Sequence, residues 1–189
     1  AAQREVLSGK WQQHVGGLLS GRTVGIIGCG FIGKDLVELL QPWNCTLIAN
    51  DILDFPDFYA RYSVTPVGLE ELLQRSDVVT LHVPLDDSTR NMLSATRLEL
   101  MKPSAILINA ARGGLVDEIA LKEMLVTKRL AAAALDVFAV EPPQDQELLA
   151  LPNFLVSPHI GGSAEEATIA MGRAAISGLD ENAVPEVTD

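Results

Sequence analysis

Short apolar runs alternate with longer amphipathic segments from Arg22 onward, and this alternation restricts the folds open to the chain more than any other feature. The apolar runs predict strands at residues 24–28, 45–50, 63–67, 78–83, 105–109, 131–137 and 154–157. Most are apolar throughout, which is typical of strands buried on both faces of a sheet. The amphipathic segments predict helices at residues 31–40, 68–76, 95–101, 117–127 and 164–182. We therefore expect an α/β fold with a doubly wound, mostly parallel sheet of about seven strands and helices on both faces.

Charge and composition exclude several classes of protein. The 14 Lys and Arg residues are outnumbered by 25 Asp and Glu residues, and a net charge of −11 argues against nucleic acid or an anionic membrane as a partner. No apolar run reaches the ~18 residues that a membrane span needs. Cys29 and Cys45 form no Cys-x-x-Cys pair and no cluster with histidines, so we expect no metal site and no disulfide framework. This cysteine usage predicts a cytoplasmic protein.

The pattern also divides the chain along its length. Residues 1–21 have no strand pattern and are interpreted as an N-terminal arm or linker. Residues 22–182 carry the whole alternating pattern, which predicts one domain, and residues 183–189 are interpreted as an acidic tail.

A G-x-G-x-x-G string formed by Gly28, Gly30 and Gly33 follows the first predicted strand and opens a helix. In this context Gly28 allows a tight turn, Gly30 lets a pyrophosphate approach the backbone, and Gly33 lets the helix pack closely on the strand. The amides of the first helical turn, around Phe31 and Ile32, would then face the phosphates. The sequence therefore predicts a Rossmann-type dinucleotide site.

Asp51 closes the second predicted strand. A carboxylate there can accept hydrogen bonds from both hydroxyls of an adenosine ribose and would repel a 2′-phosphate, which favours NAD over NADP. The alternative is a glycine turn followed by an unrelated acidic residue. The strand before the loop and the helix after it favour the nucleotide site.

Three charged or titratable side chains, Arg112, Glu141 and His159, follow the fifth, sixth and seventh predicted strands. Because ligands of doubly wound sheets bind beyond the carboxyl ends of the strands, we expect these residues to converge near a bound nicotinamide. Arg112 can grip a carboxylate with two parallel hydrogen bonds, and His159 can exchange a proton with a carbonyl oxygen. Glu141 can orient the imidazole and favour its protonated form. This set predicts the interconversion of 2-oxo and 2-hydroxy acids.

Two further side chains have candidate roles at the same edge. Asp136 follows the sixth predicted strand and could orient the nicotinamide carboxamide. His82 is the rival histidine: it ends the fourth predicted strand, which borders the first, so we expect it to form a wall of the cofactor site and not to act as catalyst. The alternative for each loop side chain is an ordinary solvated or structural residue.

Several of these blocks together resemble a known family. From residue 21 to about residue 178 the chain is similar to the NAD-binding domain of D-isomer specific 2-hydroxyacid dehydrogenases, in particular their phosphoglycerate dehydrogenase-like branch. The matching blocks lie at residues 25–33, 80–84, 88–89, 109–117, 135–138, 141–142 and 157–163.

The resemblance implies an NAD-dependent oxidoreductase that transfers a hydride between NAD and a D-2-hydroxy acid such as 3-phosphoglycerate, or reduces glyoxylate or hydroxypyruvate in reverse. It places the catalytic Arg, Glu and His on Arg112, Glu141 and His159. It also implies cofactor contacts beyond those given above: Val83, Pro84, Thr89, Ala110, Ala111, Arg112, His159, Gly161 and Gly162.

The resemblance further implies a second, substrate-binding domain that this chain lacks, so we expect the chain alone to bind NAD(H) and to turn over little. It implies a homodimer formed through the nucleotide-binding domain, with the arm and Trp11 contributing. Two alternatives stay open: an NAD(H)-responsive regulator of the corepressor type on the same fold, and a generic Rossmann domain whose polar loops have no catalytic role.

Overall fold

A seven-stranded parallel sheet forms the centre of the computed structural model, which describes residues 2–180. The strands are β1 (Thr23–Ile27), β2 (Thr46–Asn50), β3 (Thr65–Pro66), β4 (Val78–Leu81), β5 (Ile106–Asn109), β6 (Ala132–Leu135) and β7 (Phe154–Val156). Their order is β3-β2-β1-β4-β5-β6-β7, and every neighbouring pair is parallel. The order reverses between β1 and β4, as expected of a Rossmann-type sheet, and the predicted fold class is confirmed.

Eight α-helices and one 3₁₀ helix connect and flank the strands within residues 2–180. The α-helices are α1 (Ala2–Leu7), α2 (Phe31–Leu40), α3 (Pro56–Tyr62), α4 (Leu69–Arg75), α5 (Ala95–Leu98), α6 (Glu118–Val126), α7 (Gln146–Ala150) and α8 (Glu165–Asp180). The 3₁₀ helix spans Gln41–Trp43. The sequence did not predict α1, α3 and α7, which have 6, 7 and 5 residues, and the predicted helix at residues 95–101 is only the 4 residues of α5.

Several predicted strands are shorter in the structure. The third begins at Thr65 and not at residue 63, because Ser63 has a positive φ of 55° and ends α3. The fourth and sixth end at Leu81 and Leu135, so that His82 and Asp136 lie in the loops that follow them. Of the predicted domain bounds, residues 181–189 lie outside the described part of the chain.

Two apolar clusters lie on opposite faces of the sheet. Val24 and Ile26 of β1 face one side and pack with Val37 of α2 and Tyr59 of α3. Ile27 faces the other side, where the larger cluster takes in buried side chains from α4, α5, α6 and α7. Alternate residues of one strand are thus buried on both sides, which explains why β1 shows no alternation of apolar and polar residues after Thr23.

The sheet face that carries Val24 and Ile26 is not covered by helices along its whole width. Where it extends onto β5 and β7, Ile106 is 38% exposed and Leu155 is 70% exposed. Helix α8 is exposed along most of its length and leaves Ile169 and Ile176 open to solvent. Within the described residues, no helix is long and apolar enough to cross a membrane.

Candidate active site

Two glycines of the turn after β1, Gly28 and Gly33, could not be replaced by another residue without strain or overlap. Gly28 has a φ of +91°, and a Cβ there would lie 2.5 Å from the carbonyl oxygen of His82. A Cβ on Gly33 would overlap the carbonyl oxygen of Gly28, so α2 begins directly against the turn. Gly30 differs, because a Cβ there would meet nothing within 4 Å. The turn therefore leaves open space above Gly30.

The first turn of α2 provides the donors for an anionic ligand in that space. The amides of Phe31 and Ile32 lie at the helix start and have no intrahelical acceptor. Their side chains are 93% and 64% exposed, and neither carries a charge. The open cradle over Gly30 and these amides fit the pyrophosphate of a dinucleotide, which would be held by backbone dipoles.

Asp51 is fixed against this turn at the end of β2. Its Oδ2 accepts from the Cys29 amide at 2.6 Å, and its Oδ1 accepts from the Leu53 amide at 2.9 Å. Each oxygen keeps acceptor capacity for a ribose hydroxyl. Burial, followed by the negative charge of Asp51, raises the pKa of the Cys29 thiol, so this thiol adds no anion to the phosphate site.

The loop after β4 forms the opposite wall of the turn. A Cβ on Gly28 would lie 2.7 Å from Cγ1 of Val83, so the two loops are in close contact. Nε2 of His82 lies 3.0 Å from Oγ1 of Thr80, and burial lowers the pKa of His82, which keeps the ring neutral. Thr89 donates to the carbonyl of Pro84 at 2.7 Å and closes the loop.

Glu141 and His159 meet beyond β6 and β7. Nδ1 of His159 lies 2.9 Å from Oε2 of Glu141, and Oε1 of Glu141 accepts from the Phe138 amide at 3.0 Å. The imidazole, and next the Phe138 amide, hold the pKa of Glu141 below its ordinary value. The carboxylate is therefore ionised at neutral pH and can only accept, so Nδ1 carries the proton and Nε2 is left for other partners.

Asp136 holds the backbone that carries His159. Its carboxylate accepts from the Ser157 hydroxyl at 2.6 Å, the Ile160 amide at 2.9 Å and the Gly161 amide at 2.8 Å. Its carbonyl accepts from the His159 amide at 2.9 Å. Burial by itself raises the pKa of Asp136, but the hydrogen bonds outweigh burial and the pKa is lowered. These contacts hold His159 at a φ of 53°, a conformation that a non-glycine residue rarely adopts.

Arg112 lies in the loop after β5, which a buried asparagine organises. The Asn109 amide group donates to the Arg112 carbonyl at 2.9 Å and accepts from the Ala111 amide at 3.1 Å. The guanidinium of Arg112 is exposed and donates to the Ala111 carbonyl at 2.7 Å. A Cβ on Gly113 would overlap the carbonyl of Phe138, so this loop lies directly on the loop of Glu141.

The structure thus places the predicted residues of the last three loops at one edge of the sheet. It joins Glu141 to His159 directly, whereas Arg112 reaches them through the contact of its loop with theirs. Gly161 lies across from Ala110, because a Cβ on Gly161 would lie 3.9 Å from Cβ of Ala110. A Cβ on Gly162 would meet nothing within 4 Å.

Sequence reasoning missed three residues that support these loops: Asn109, Ser157 and Glu118. The available signal for Asn109 and Ser157 was a polar side chain at the end of an apolar strand. No sequence signal singled out Glu118, because an acidic residue in the first turn of a helix is common. Among residues 2–180, no group of three or more His, Cys, Asp or Glu residues could hold a metal ion.

Comparison with known proteins identifies the family of the chain. The family model of the D-isomer specific 2-hydroxyacid dehydrogenase NAD-binding domain matches residues 1–161. The D-3-phosphoglycerate dehydrogenase of Methanocaldococcus jannaschii is 42% identical over 167 residues, which are 87% of this chain and 32% of that protein. The glycerate dehydrogenase of Methylorubrum extorquens is 44% identical over 152 residues, which are 79% of this chain and 46% of that protein.

A solved structure of a glyoxylate reductase from Paecilomyes thermophila superposes with a TM-score of 0.88 at 30% identity, over 95% of this chain and 55% of that one. The chain therefore spans between about a third and about half of the relatives that it matches. With the glycine turn, Asp51 and the His159 loop in the places described, the chain belongs to the D-isomer specific 2-hydroxyacid dehydrogenase family, as its NAD-binding domain.

Proposed function

We propose that this chain is the cofactor-binding part of an NAD-dependent dehydrogenase that interconverts a small D-2-hydroxy acid and its 2-oxo acid. The observation that carries this proposal is the 2.9 Å contact between His159 Nδ1 and Glu141, at the edge of the sheet that also bears Arg112. When bound, the nicotinamide ring supplies or accepts the hydride. The protein supplies the proton and fixes the substrate.

His159 is the proposed proton donor and acceptor. Because ionised Glu141 fixes the proton on Nδ1, Nε2 is the ring atom that exchanges a proton with the substrate oxygen. Protonation of Nε2 gives an imidazolium whose charge Glu141 stabilises. In the direction of oxidation, Nε2 takes the proton from the hydroxyl group.

Arg112 is the proposed partner of the substrate carboxylate. Its guanidinium is exposed and spends one hydrogen bond on the Ala111 carbonyl, which leaves further N–H groups for a carboxylate. A planar guanidinium can hold the carboxylate at two points and so fix the carbon that exchanges the hydride, which a lysine could not do.

The proposed cofactor contacts follow the loops described above. The Gly28–Gly33 turn takes the pyrophosphate, and Asp51 takes the ribose hydroxyls and disfavours a 2′-phosphate. The rest of the proposed cofactor site is lined by three segments, at residues 82–84, 110–112 and 159–162. Thr89 holds the segment at 82–84 through its hydrogen bond to Pro84. The predicted contact of Asp136 with the carboxamide stays a proposal beside the loop-holding role of its carboxylate.

The substrate class is a small acid, and 3-phosphoglycerate, glyoxylate and hydroxypyruvate are the proposed candidates, because similar proteins are named D-3-phosphoglycerate dehydrogenase, glyoxylate reductase and hydroxypyruvate reductase. We further propose a cytoplasmic homodimer that forms through this domain with the arm at residues 1–21. A net charge of −11 supports a protein without nucleic-acid or membrane partners.

The test uses the complete protein with NADH or NADPH and either glyoxylate or hydroxypyruvate, and follows the loss of reduced-cofactor absorbance. We expect turnover with NADH and much less with NADPH, and the Asp51→Asn variant should narrow that preference. The 189-residue chain alone should bind NADH with little turnover. NADH-dependent binding of a peptide partner, with no turnover of any 2-oxo acid, would instead support the regulator.

A further inference from the structure

Glu118, the first residue of α6, contacts the loop that carries Glu141. Its Oε1 accepts from the Ala139 amide at 2.7 Å. Ala139 follows Phe138, whose own amide donates to Glu141. Two neighbouring amides of one segment thus bind two different carboxylates: the Ala139 amide binds Glu118, and the Phe138 amide binds Glu141.

The loop of Glu141 is anchored at its start by Phe138, which is 5% exposed and packs edge-on against Phe154, whereas Val140 further along is 65% exposed. A cavity of about 520 Å³ lies on one side, lined in part by Pro142 and His159. A second cavity of about 220 Å³ is lined in part by Glu118 and Ala139. Phe138 lines both cavities, so the loop runs between two open spaces. Polar contacts therefore add to the packing of Phe138 in fixing the part of the loop that follows it.

The contacts on this segment form a chain that ends at the histidine. The Gly113 loop lies against the Phe138 carbonyl, and Glu118 holds the next amide. The Phe138 amide then orients Oε1 of Glu141, and Oε2 of Glu141 orients His159. We propose that Glu118 is a positioning residue of the reaction, which acts through the Phe138–Ala139 segment to keep Glu141 against His159.

Glu118 has the side-chain length and the location for this role. It lies in the first turn of α6, where the neighbouring Asp117 side chain caps the helix by accepting from the Ala120 amide at 3.0 Å. Glu118 is thus not needed as the helix cap, and its carboxylate is free to reach the Ala139 amide of another loop. An uncharged glutamine could make the same hydrogen bond with its carbonyl oxygen.

The experiment compares Glu118→Ala and Glu118→Gln with a matched control, Glu123→Ala. Glu123 lies on the same helix, and its carboxylate pairs at the surface with Arg129. Proton NMR of the 189-residue chain reads the His159 Nδ1 proton, whose low-field resonance reports the hydrogen bond to Glu141. Thermal unfolding of each variant is measured beside it.

We expect Glu118→Ala to move or remove the low-field resonance while the unfolding midpoint stays near that of the unsubstituted chain. Glu118→Gln should restore the resonance, and Glu123→Ala should leave it unchanged. If Glu118→Ala does not fold, Glu118→Asp replaces it, because a side chain shorter by one methylene cannot reach the Ala139 amide. An unshifted resonance in Glu118→Ala, or its absence from the unsubstituted chain, would overturn the proposal.

The kinetic part rests on the proposed function and uses the complete protein. Glu118→Ala should lower kcat about tenfold, with the NADH dissociation constant changed less than about twofold, and Glu118→Gln should recover most of the loss. A loss in NADH affinity with unchanged kcat would contradict the positioning role. If the unsubstituted protein shows no turnover at all, the proposed function fails, and the NMR comparison decides the role of Glu118 independently.

Discussion

At the scale of single residues, the carboxylate of Asp136 organises the loop that carries His159. It accepts three hydrogen bonds from the loop that follows β7, and they keep His159 in a left-handed conformation. The sequence indicated that an aspartate stands at this edge. It could not show that the aspartate binds backbone amides, because that depends on how the chain turns after β7.

The Asp136→Asn variant tests this role. An asparagine has one acceptor oxygen and an NH₂ group that would face a donor, so we expect the free energy of unfolding to fall by about 1–3 kcal/mol at neutral pH. The exposed Asp35→Asn is the control. Thermal or urea unfolding measures both, and equal values for Asp136→Asn and the unsubstituted chain would contradict the account.

The difference in unfolding free energy between Asp136→Asn and the unsubstituted chain should depend on pH with a definite sign. The pKa of Asp136 is lower in the folded than in the unfolded chain, where an aspartate titrates near ~3.9. Its contribution is therefore fully present above the unfolded value and is lost as the pH falls through the folded value. The gap between Asp136→Asn and the unsubstituted chain should accordingly narrow as unfolding is measured at pH values below about 4.

Gly30 tests the cofactor cradle without disturbing the fold. Since a Cβ there would meet no atom within 4 Å, Gly30→Ala should leave the unfolding midpoint almost unchanged. It should weaken NADH binding about tenfold or more, because the methyl group would occupy the space assigned to the pyrophosphate. Gly68→Ala, which also adds a methyl in open space but at the start of α4, is the matched control. Calorimetric titration with NADH gives both affinities, and equal affinities would argue against the cradle.

At the scale of elements, the three loops after β5, β6 and β7 act as one assembly. Gly113 is the point of contact, because its missing side chain lets the loop of Arg112 lie on the Phe138–Ala139 backbone. The sequence placed the three loops at one edge from the order of the strands alone. It could not show this contact, and it missed α3 and α7; α3 begins at Pro56, a residue that in sequence also fits a turn.

The Gly113→Ala variant should separate the loops. The added methyl would overlap the Phe138 carbonyl, so one backbone must move, and we expect a loss of about 1–3 kcal/mol in unfolding free energy. The His159 Nδ1 proton resonance should shift as well, because Glu141 moves with its loop. Gly114 is a poor control, because it has a φ of +81°, so Gly162→Ala serves instead. An unchanged stability and resonance would show that the loops are not coupled.

At the scale of the whole molecule, the chain presents apolar surface that a single copy does not cover. The apolar runs of β5 to β7 predicted helices on both faces, yet Leu155 on one of them is 70% exposed. Sequence periodicity reports that a strand prefers burial, but not which segment covers it. In the arm, Trp11 is 85% exposed, although large aromatic side chains favour buried sites.

The proposed dimer gives the arm a testable role. If Trp11 anchors the partner subunit, Trp11→Ala should raise the dimer dissociation constant about tenfold or more in sedimentation equilibrium. Trp43→Ala is the control, because Trp43 is also more than half exposed but lies in the 3₁₀ helix after α2. A monomeric unsubstituted chain, or a dimer unaffected by Trp11→Ala, would refute this role.

The choice between the two histidines of the site tests the central claim most directly. In the complete protein, NADH-dependent reduction of glyoxylate or hydroxypyruvate should fall about a hundredfold or more in His159→Ala, because general acid–base catalysis contributes on that scale. His82 is neutral and lies at the glycine turn, so His82→Ala should change cofactor affinity more than kcat. A larger loss of kcat in His82→Ala than in His159→Ala would contradict the account.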